Sequence, residues 1–347
     1  MWSIISKKTP KLIGVDISAT SVSVLELSKH GDIFQVEAYG KSSLSEQQEV
    51  QDIDILGAAV KFAVIQSGTN SRNAVVAIPS SSVITKIIQL DANLDEADIE
   101  AQVYLEAARY IPYPIEEVSL DFQIQDFDDQ KLDKLDVLIT ASRTKKVMHL
   151  VDILKVAGLT AKIIDIDTYA LERASYVIRN SLPNRGCNKT IAIINVGVTL
   201  TTISILHNFT TLYTREEVLD SNLLAIAIQK QHALLAQSNY MACDPQDQFM
   251  KNLVSFWETL IALIQRSLQL FFSTSHYNTI DHIVLIGEAA VIPGLATFIN
   301  EHLSIPCTVA NPFMDMLIPK HIDCHVIAMA APALMICSGL ALRNFFQ

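Results

Sequence analysis

Apolar positions follow two rhythms along this chain: short runs that stop on a polar turn, and longer stretches of helical period. Leu12 to Val15 form an apolar run ending at Asp16, and apolar positions resume from Val22 to Leu27. This predicts a hairpin with its turn at Ser18 to Ser21. The same figure returns in TIAIINVGVTLTTISIL from Thr190. There Asn195 ends a strand, Gly197 lies in the turn, and Thr199, Thr201 and Thr202 follow. A third apolar strand, Ile283 to Ile286, runs through Gly287 into a helix with Pro293 at its opening.

Between the first two figures the periodicity predicts a helix over Ile53 to Ile65 and a strand over Ala74 to Ile78, with a new unit from about Val83. That unit holds a strand, then a helix from about Asp95 whose acidic first turn (Asp95, Glu96, Asp98) complements the helix dipole. Pro112 and Pro114 end the helix. Strands at Val118 to Asp126 and Leu135 to Thr140 flank a tip at Lys131, Asp133 and Lys134, and a helix near Thr144 to Ala157 completes the unit. A strand at Lys162 to Asp165 and a helix beginning near Asp167 return to the first core. The second half begins at Thr190, carries a mostly helical insert from about Leu219 to Tyr277, and closes on helices.

Each polar turn has its own chemistry. The Ser18 to Ser21 turn offers N–H groups and hydroxyls to an anion, and Asp16 is placed to hold a water of a hydrated magnesium ion. Gly197 allows close backbone approach, and the strand-to-helix passage at Gly287 suits an adenosine lying across backbone. Each turn alone also has a plainer reading, a strand reversing on polar residues: Asp16 as a turn or cap aspartate, Thr199 as a strand hydroxyl. In this order and spacing, the three together favour a nucleotide cleft between two related halves.

Composition narrows the partners. The chain has 347 residues, 50% of them hydrophobic and 18% charged, enough for two cores. Its net charge of -11 argues against nucleic acid and against direct docking on an anionic membrane, since the densest basic run is Arg143, Lys145 and Lys146. Cys187, Cys243, Cys307, Cys324 and Cys337 show no CxxC spacing, and the nine histidines show no HExxH pattern; reduced thiols in a cytosolic protein are expected. The opening MWSIISKKTPK has the reverse order of a secretory signal. The uncharged run Val326 to Leu342 would reach roughly 25 Å as a helix, short of a ~30 Å hydrocarbon core, and holds Pro332 and Gly339. A buried helix pair is the expectation. Arg266 reads as a structural residue of the long helix rather than a phosphate ligand.

The three turns resemble the phosphate 1, phosphate 2 and adenosine loops of the superfamily of actin, heat-shock chaperones and sugar kinases. IPSSSVITKIIQL from Ile78, LDEADIEAQVYLEAARYIPYPIEEVSLDFQI from Leu94, IIDIDTYALERA from Ile163, LIQRSLQLFF from Leu263 and GLALRNF from Gly339 narrow the likeness further. Over nearly its whole length the chain resembles the type IV pilus assembly PilM family, relatives of the cell-division protein FtsA. AQVYLEAARYIPYP is the most discriminating stretch.

The resemblance implies a two-lobed α/β actin-like (ribonuclease H-like, duplicated) fold with an inserted 1C subdomain. Subdomain 1A would take residues 1–82, 159–189 and about 325–347, and 1C would take 83–158. Subdomain 2A would take 190–218 and 278–324, and helical 2B 219–277. It implies ATP or ADP with Mg2+ in the interlobe cleft, held by Asp16, Ser18, Ala19, Thr20, Ser21, Asn195, Gly197, Val198, Thr199, Gly287, Glu288 and Ala289, with Asp16 toward the metal. It also implies a cytoplasmic scaffold peripheral to the inner membrane and used in twitching motility. Such a scaffold takes the cytoplasmic N-terminal tail of PilN in a 1A/1C groove near Tyr104, Tyr110, Ile111 and Tyr113, contacts other pilus components, and meets the membrane only through partners. Self-assembly stays open.

Departures from the family pattern bear on mechanism. Ser18 and Ser23 stand where the family has a glycine and a lysine, Asn195 where it has an aspartate, Asp220 and Ser221 for paired glycines, and Glu288, Ala289 and Ala290 within a glycine run. Phosphoryl transfer depends on neutralising charge, so weak or absent hydrolysis is expected. An active ATPase or kinase of the superfamily is one alternative, and an FtsA-like divisome protein is another. The few residues after Arg343 are too short for the amphipathic membrane helix of the latter.

Overall fold

A computed structural model describes residues 11–44, 52–125, 134–198, 200–218 and 248–346. Thr199, Lys131, Asp133 and, within the predicted 219–277 insert, residues 219–247 with Asp220 and Ser221 lie outside the described residues.

Strands β1 (Leu12–Ile17), β2 (Ser21–His30) and β3 (Ile33–Ser43) form an antiparallel meander. β4 (Asn73–Ile78) joins β1 in parallel, and β8 (Thr160–Ile166) joins β4 in parallel. The resulting order is β3-β2-β1-β4-β8. The second half builds the same object from β9 (Thr190–Val196), β10 (Leu200–His207), β11 (Thr210–Val218), β12 (His282–Ile286) and β13 (Cys307–Val309), in the order β11-β10-β9-β12-β13. Strand directions also agree: an antiparallel meander with two parallel strands added beside its first strand. The two sheets are thus repeats of one unit, and their central strands end at a common seam.

A separate antiparallel sheet, β5-β7-β6, is made by β5 (Val83–Asp91), β6 (Val118–Ile124) and β7 (Lys134–Arg143). Helix α2 (Glu96–Tyr110) covers it, burying Ile99, Val103 and Ala107 against Ile88, Leu90, Val137 and Ile139. Asp95 caps α2 by accepting from the Asp98 N–H at 2.9 Å, where the acidic first turn predicted its start.

Helices α1 (Ile53–Ser67) and α3 (Thr144–Val156) cover one face of the first sheet. α3 follows the inserted sheet in sequence, yet its Ile153 and Leu154 are buried in the first-lobe core with Val60 and Ala63 of α1. Gly57 admits the contact, since a Cβ there would stand 2.4 Å from Val156. On the other face lie α4 (Asp167–Val177), α7 (Cys324–Ala330) and α8 (Met335–Ala341). A Cβ on Gly14 would meet the backbone of Cys337 and Ala341 at 2.6 Å, and one on Gly339 would overlap the Ala170 carbonyl. This close packing puts the apolar run 326–342 into the core as a helix pair. The stretch Cys324–Asn344 is nonetheless long and apolar enough, by length and composition, to cross a membrane.

In the second lobe, α5 (Gln248–Thr274) lays Phe256, Trp257, Leu260, Ile264 and Phe271 on β9, β10 and β12. Fully burying each such side chain contributes on the order of 2 kcal/mol. Helix α6 (Leu295–Leu303) starts after Gly294, whose φ of 89° makes it the cap, so Pro293 stands just outside the helix rather than in its first turn.

Candidate functional site

The three predicted loops converge at the seam around a cleft of about 400 Å³. Its first wall is the β1–β2 turn. The Ser18 hydroxyl accepts from the Thr20 and Ser21 N–H groups at 3.3 and 3.0 Å and donates to the Ser21 carbonyl at 2.9 Å. Those two amides are therefore turned onto the turn's own hydroxyl rather than out toward an anion. Ala19 is exposed at the tip.

The opposite wall is the passage from β12 into a short 3-10 turn at Glu288–Val291. Gly287 makes it at φ 91°, and a Cβ there would stand 2.4 Å from Asn195 Oδ1 and 2.7 Å from the Val196 carbonyl, so only glycine fits. The turn aims Glu288 across the seam. Its carboxylate accepts from Thr20 Oγ1 at 2.8 Å and Ser21 Oγ at 3.0 Å, and pairs with Lys41 Nζ at 2.9 Å. Burial pushes this carboxyl up, but Lys41 and the two hydroxyls outweigh burial and hold it below the ordinary glutamate value.

Asp16 is the next-to-last residue of β1, paired opposite Ser23, and lines the cleft. Burial, then the charges of Asp167 and Glu288, raise its carboxyl from 3.8 to about 7, with Lys41 opposing. Asp167 opens α4 and accepts from the Ser80 and Thr168 N–H groups at 3.0 and 2.6 Å; burial raises it too. Asn195 sits opposite Thr202 and beside Ile286, and Gly197 donates to the Leu200 carbonyl at 3.1 Å, its close approach spent within its own turn. Val198 lines the cleft, whereas Ala289 is fully buried in the second-lobe core and does not reach the wall. Arg266 is exposed on α5 and does not line the cleft.

The donor set can be tested against a magnesium nucleotide. Asp16, Asp167, Glu216 and Glu288 line the cleft, and among the described residues no lysine or arginine does. Like charges about 4 Å apart cost from about 1 kcal/mol in water to about 4 kcal/mol near a protein surface. No group of three metal-ligating side chains is assembled among the described residues. With Glu288 in place, the residues present do not fit a polyphosphate.

A second concavity, of about 240 Å³, lies where β4 passes into the inserted sheet. Ser82, Ile84, Val118 and Lys146 line it together with Ile111 and Tyr113, two of the four residues expected at a partner groove. Arg143 stacks on the Tyr113 ring at 3.9 Å. The other two, Tyr104 and Tyr110, are exposed on α2 outside this concavity, Tyr110 beneath Lys86.

A family model described as type IV pilus assembly protein PilM matches residues 14–345. The chain belongs to the PilM family of type IV pilus assembly proteins. Among solved structures, a chain titled "PilM-PilN type IV pilus biogenesis complex" superposes with a TM-score of 0.76 at 21% identity, covering 98% of this chain and 100% of that one. The ethanolamine utilization protein EutJ from Carboxydothermus hydrogenoformans superposes with a TM-score of 0.53 at 13% identity, covering 96% and 89%. At these identities the likenesses bear on fold alone, and they agree with the repeated sheets in making this PilM-family chain a two-lobed actin-like protein.

Lys41 and Glu216 escaped the sequence reading, and Asp167 figured only as a helix start. Lys41 reaches the site through strand register, opposite Ser23, a pairing no local pattern encodes. Asp167 carried a legible signal, an acidic residue opening a helix just past a parallel strand end, where ligands gather in α/β sheets.

Proposed function

We propose that the protein is a cytoplasmic actin-like scaffold of the type IV pilus inner-membrane assembly complex, peripheral to the membrane, that captures the cytoplasmic N-terminal tail of a PilN-type partner. The groove between the first lobe and the inserted sheet carries this reading. Its floor is apolar at Ile84, Ile111 and Val118, its wall aromatic at Tyr113, and its rim basic at Arg143 and Lys146. An extended tail would place apolar side chains in that floor, an acidic group against the rim, and backbone along an edge strand of the β5-β7-β6 sheet. In this reading the first sheet and its helices serve as subdomain 1A, the inserted sheet with α2 as 1C, and the second sheet with its helical insert as 2A and 2B.

The interlobe cleft is read as a place for ATP or ADP only when Glu288 is moved off the first-lobe turn. Turnover is not expected, because the cleft presents carboxylates where phosphoryl transfer needs positive charge. Calorimetry with a synthetic PilN-type tail tests the scaffold reading. One site per chain is the expected result; no heat at high peptide concentration would remove it.

A further inference from the structure

The turn that would receive a phosphate already holds an anion supplied by the chain itself. Thr20 Oγ1 donates to one oxygen of Glu288 at 2.8 Å, and Ser21 Oγ donates to the other at 3.0 Å. Lys41 Nζ stands 2.9 Å from that second oxygen. Two hydroxyls and an ammonium converging on one carboxylate form the donor set of an oxyanion seat. Glu288 comes from the second lobe, while Thr20, Ser21 and Lys41 come from the first. The seat is therefore both filled and latched across the seam.

We propose that Glu288 is an internal competitor for phosphate at this seat, so that a nucleoside di- or triphosphate enters the cleft only by displacing it and unlatching the lobes. The turn at Gly287, at φ 91° and closed against Asn195 and Val196, sets the direction in which Glu288 leaves the second lobe, and its carboxylate meets Thr20, Ser21 and Lys41 of the first. Displacement is opposed by the surroundings, since a released Glu288 would lie in a cleft that already holds Asp16 and Asp167. Once released, the seat presents Lys41, Thr20 and Ser21 to the incoming phosphate. Nucleotide affinity and lobe closure are then coupled through one side chain. A purely structural ion pair, by contrast, predicts that removing Glu288 leaves ligand affinity unchanged.

The proposal rests on reading the cleft as the nucleotide site and is independent of the tail groove. Its test uses the full chain, with calorimetric titration of Mg-ADP, Mg-ATP and inorganic tripolyphosphate into wild type, Glu288→Gln and Glu288→Ala. Glu288→Gln keeps the shape of the side chain and one of its two acceptor oxygens, so it preserves the fold if Glu288→Ala does not. Both variants should bind all three anions at least tenfold more tightly than wild type, and adding Lys41→Met to Glu288→Gln should reverse the gain. Affinities within twofold of wild type, or weaker, would overturn the proposal. Tightening for nucleotides but not for tripolyphosphate would overturn it too, by placing the Glu288 effect at the nucleoside. No binding of any anion to any variant would remove the cleft reading and the competitor together, whereas wild-type affinity retained in the variants would remove the competitor alone.

Discussion

Lys41 stands directly across the β2–β3 pair from Ser23, and its ammonium reaches Glu288 of the opposite lobe at 2.9 Å. The positive charge expected on β2 is thus supplied by the neighbouring strand. It is spent on a carboxylate of the same chain.

The Lys41–Glu288 pair should be measurable as coupling. Its side chains retain a quarter and a fifth of their exposure (25% and 19%), so solvent weakens it relative to a fully buried pair. A double-mutant cycle of Lys41→Met and Glu288→Gln, read from urea unfolding, should give a coupling of about 1–2 kcal/mol. Additive effects would show that the latch contributes nothing to stability.

Asp16 predicts an inverted pH response. Its carboxyl titrates at about 7 in the folded chain against an ordinary 3.8, so the unfolded chain releases this proton first. The contribution of Asp16 is most favourable at low pH and is lost as pH rises between those values, by on the order of a few kcal/mol in full. Asp16→Asn should therefore stabilise the protein above pH 7 and flatten its unfolding profile below. A variant less stable than wild type at pH 8 would contradict this placement of Asp16 among Asp167, Glu288 and Lys41.

Gly287 should tolerate no side chain. Gly287→Ala meets both a positive φ and contacts of 2.4 and 2.7 Å, whereas Gly31, at φ 62°, has open space around it. The first substitution should cost about 2 kcal/mol or more and the second about 1 kcal/mol, read from urea midpoints. Equal losses would mean that the contacts at Gly287 relax freely.

The groove makes a prediction about which aromatics matter. Tyr113→Ala removes a lining ring and the Arg143 stack, so tail affinity should fall about tenfold, or about 1.4 kcal/mol. Tyr104→Ala, outside that concavity, should leave affinity within twofold. The reverse ranking, by titration of the same peptide, would move the docking site onto the exposed face of α2.

Much of the fold is legible because its signals are local. The apolar run at Leu12, the acidic cap at Asp95 and the uncharged run from Val326 each announce an element within a few residues, and the structure places an element at each. The strand-end residues Asp16, Asn195 and Gly287 announce the cleft in the same way. What the sequence hides is pairing at a distance. That α3 joins the first-lobe core depends on Gly57 accepting Val156, nearly a hundred residues away. That Glu288 meets Thr20, Ser21 and Lys41 depends on how two lobes close, and neither loop contains the other. Ala289 looked equivalent to Glu288 in sequence, but one step along a tight turn carries it from the cleft into the core.

Hydrogen exchange of the full chain, with and without a saturating PilN-type N-terminal tail, tests the scaffold most directly. Protection should concentrate on β5 and on residues 111–118, with the turn at Ser18 to Ser21 little changed. Exchange unchanged by the tail, or protection confined to the second lobe, would contradict capture of a partner's tail beside the inserted sheet.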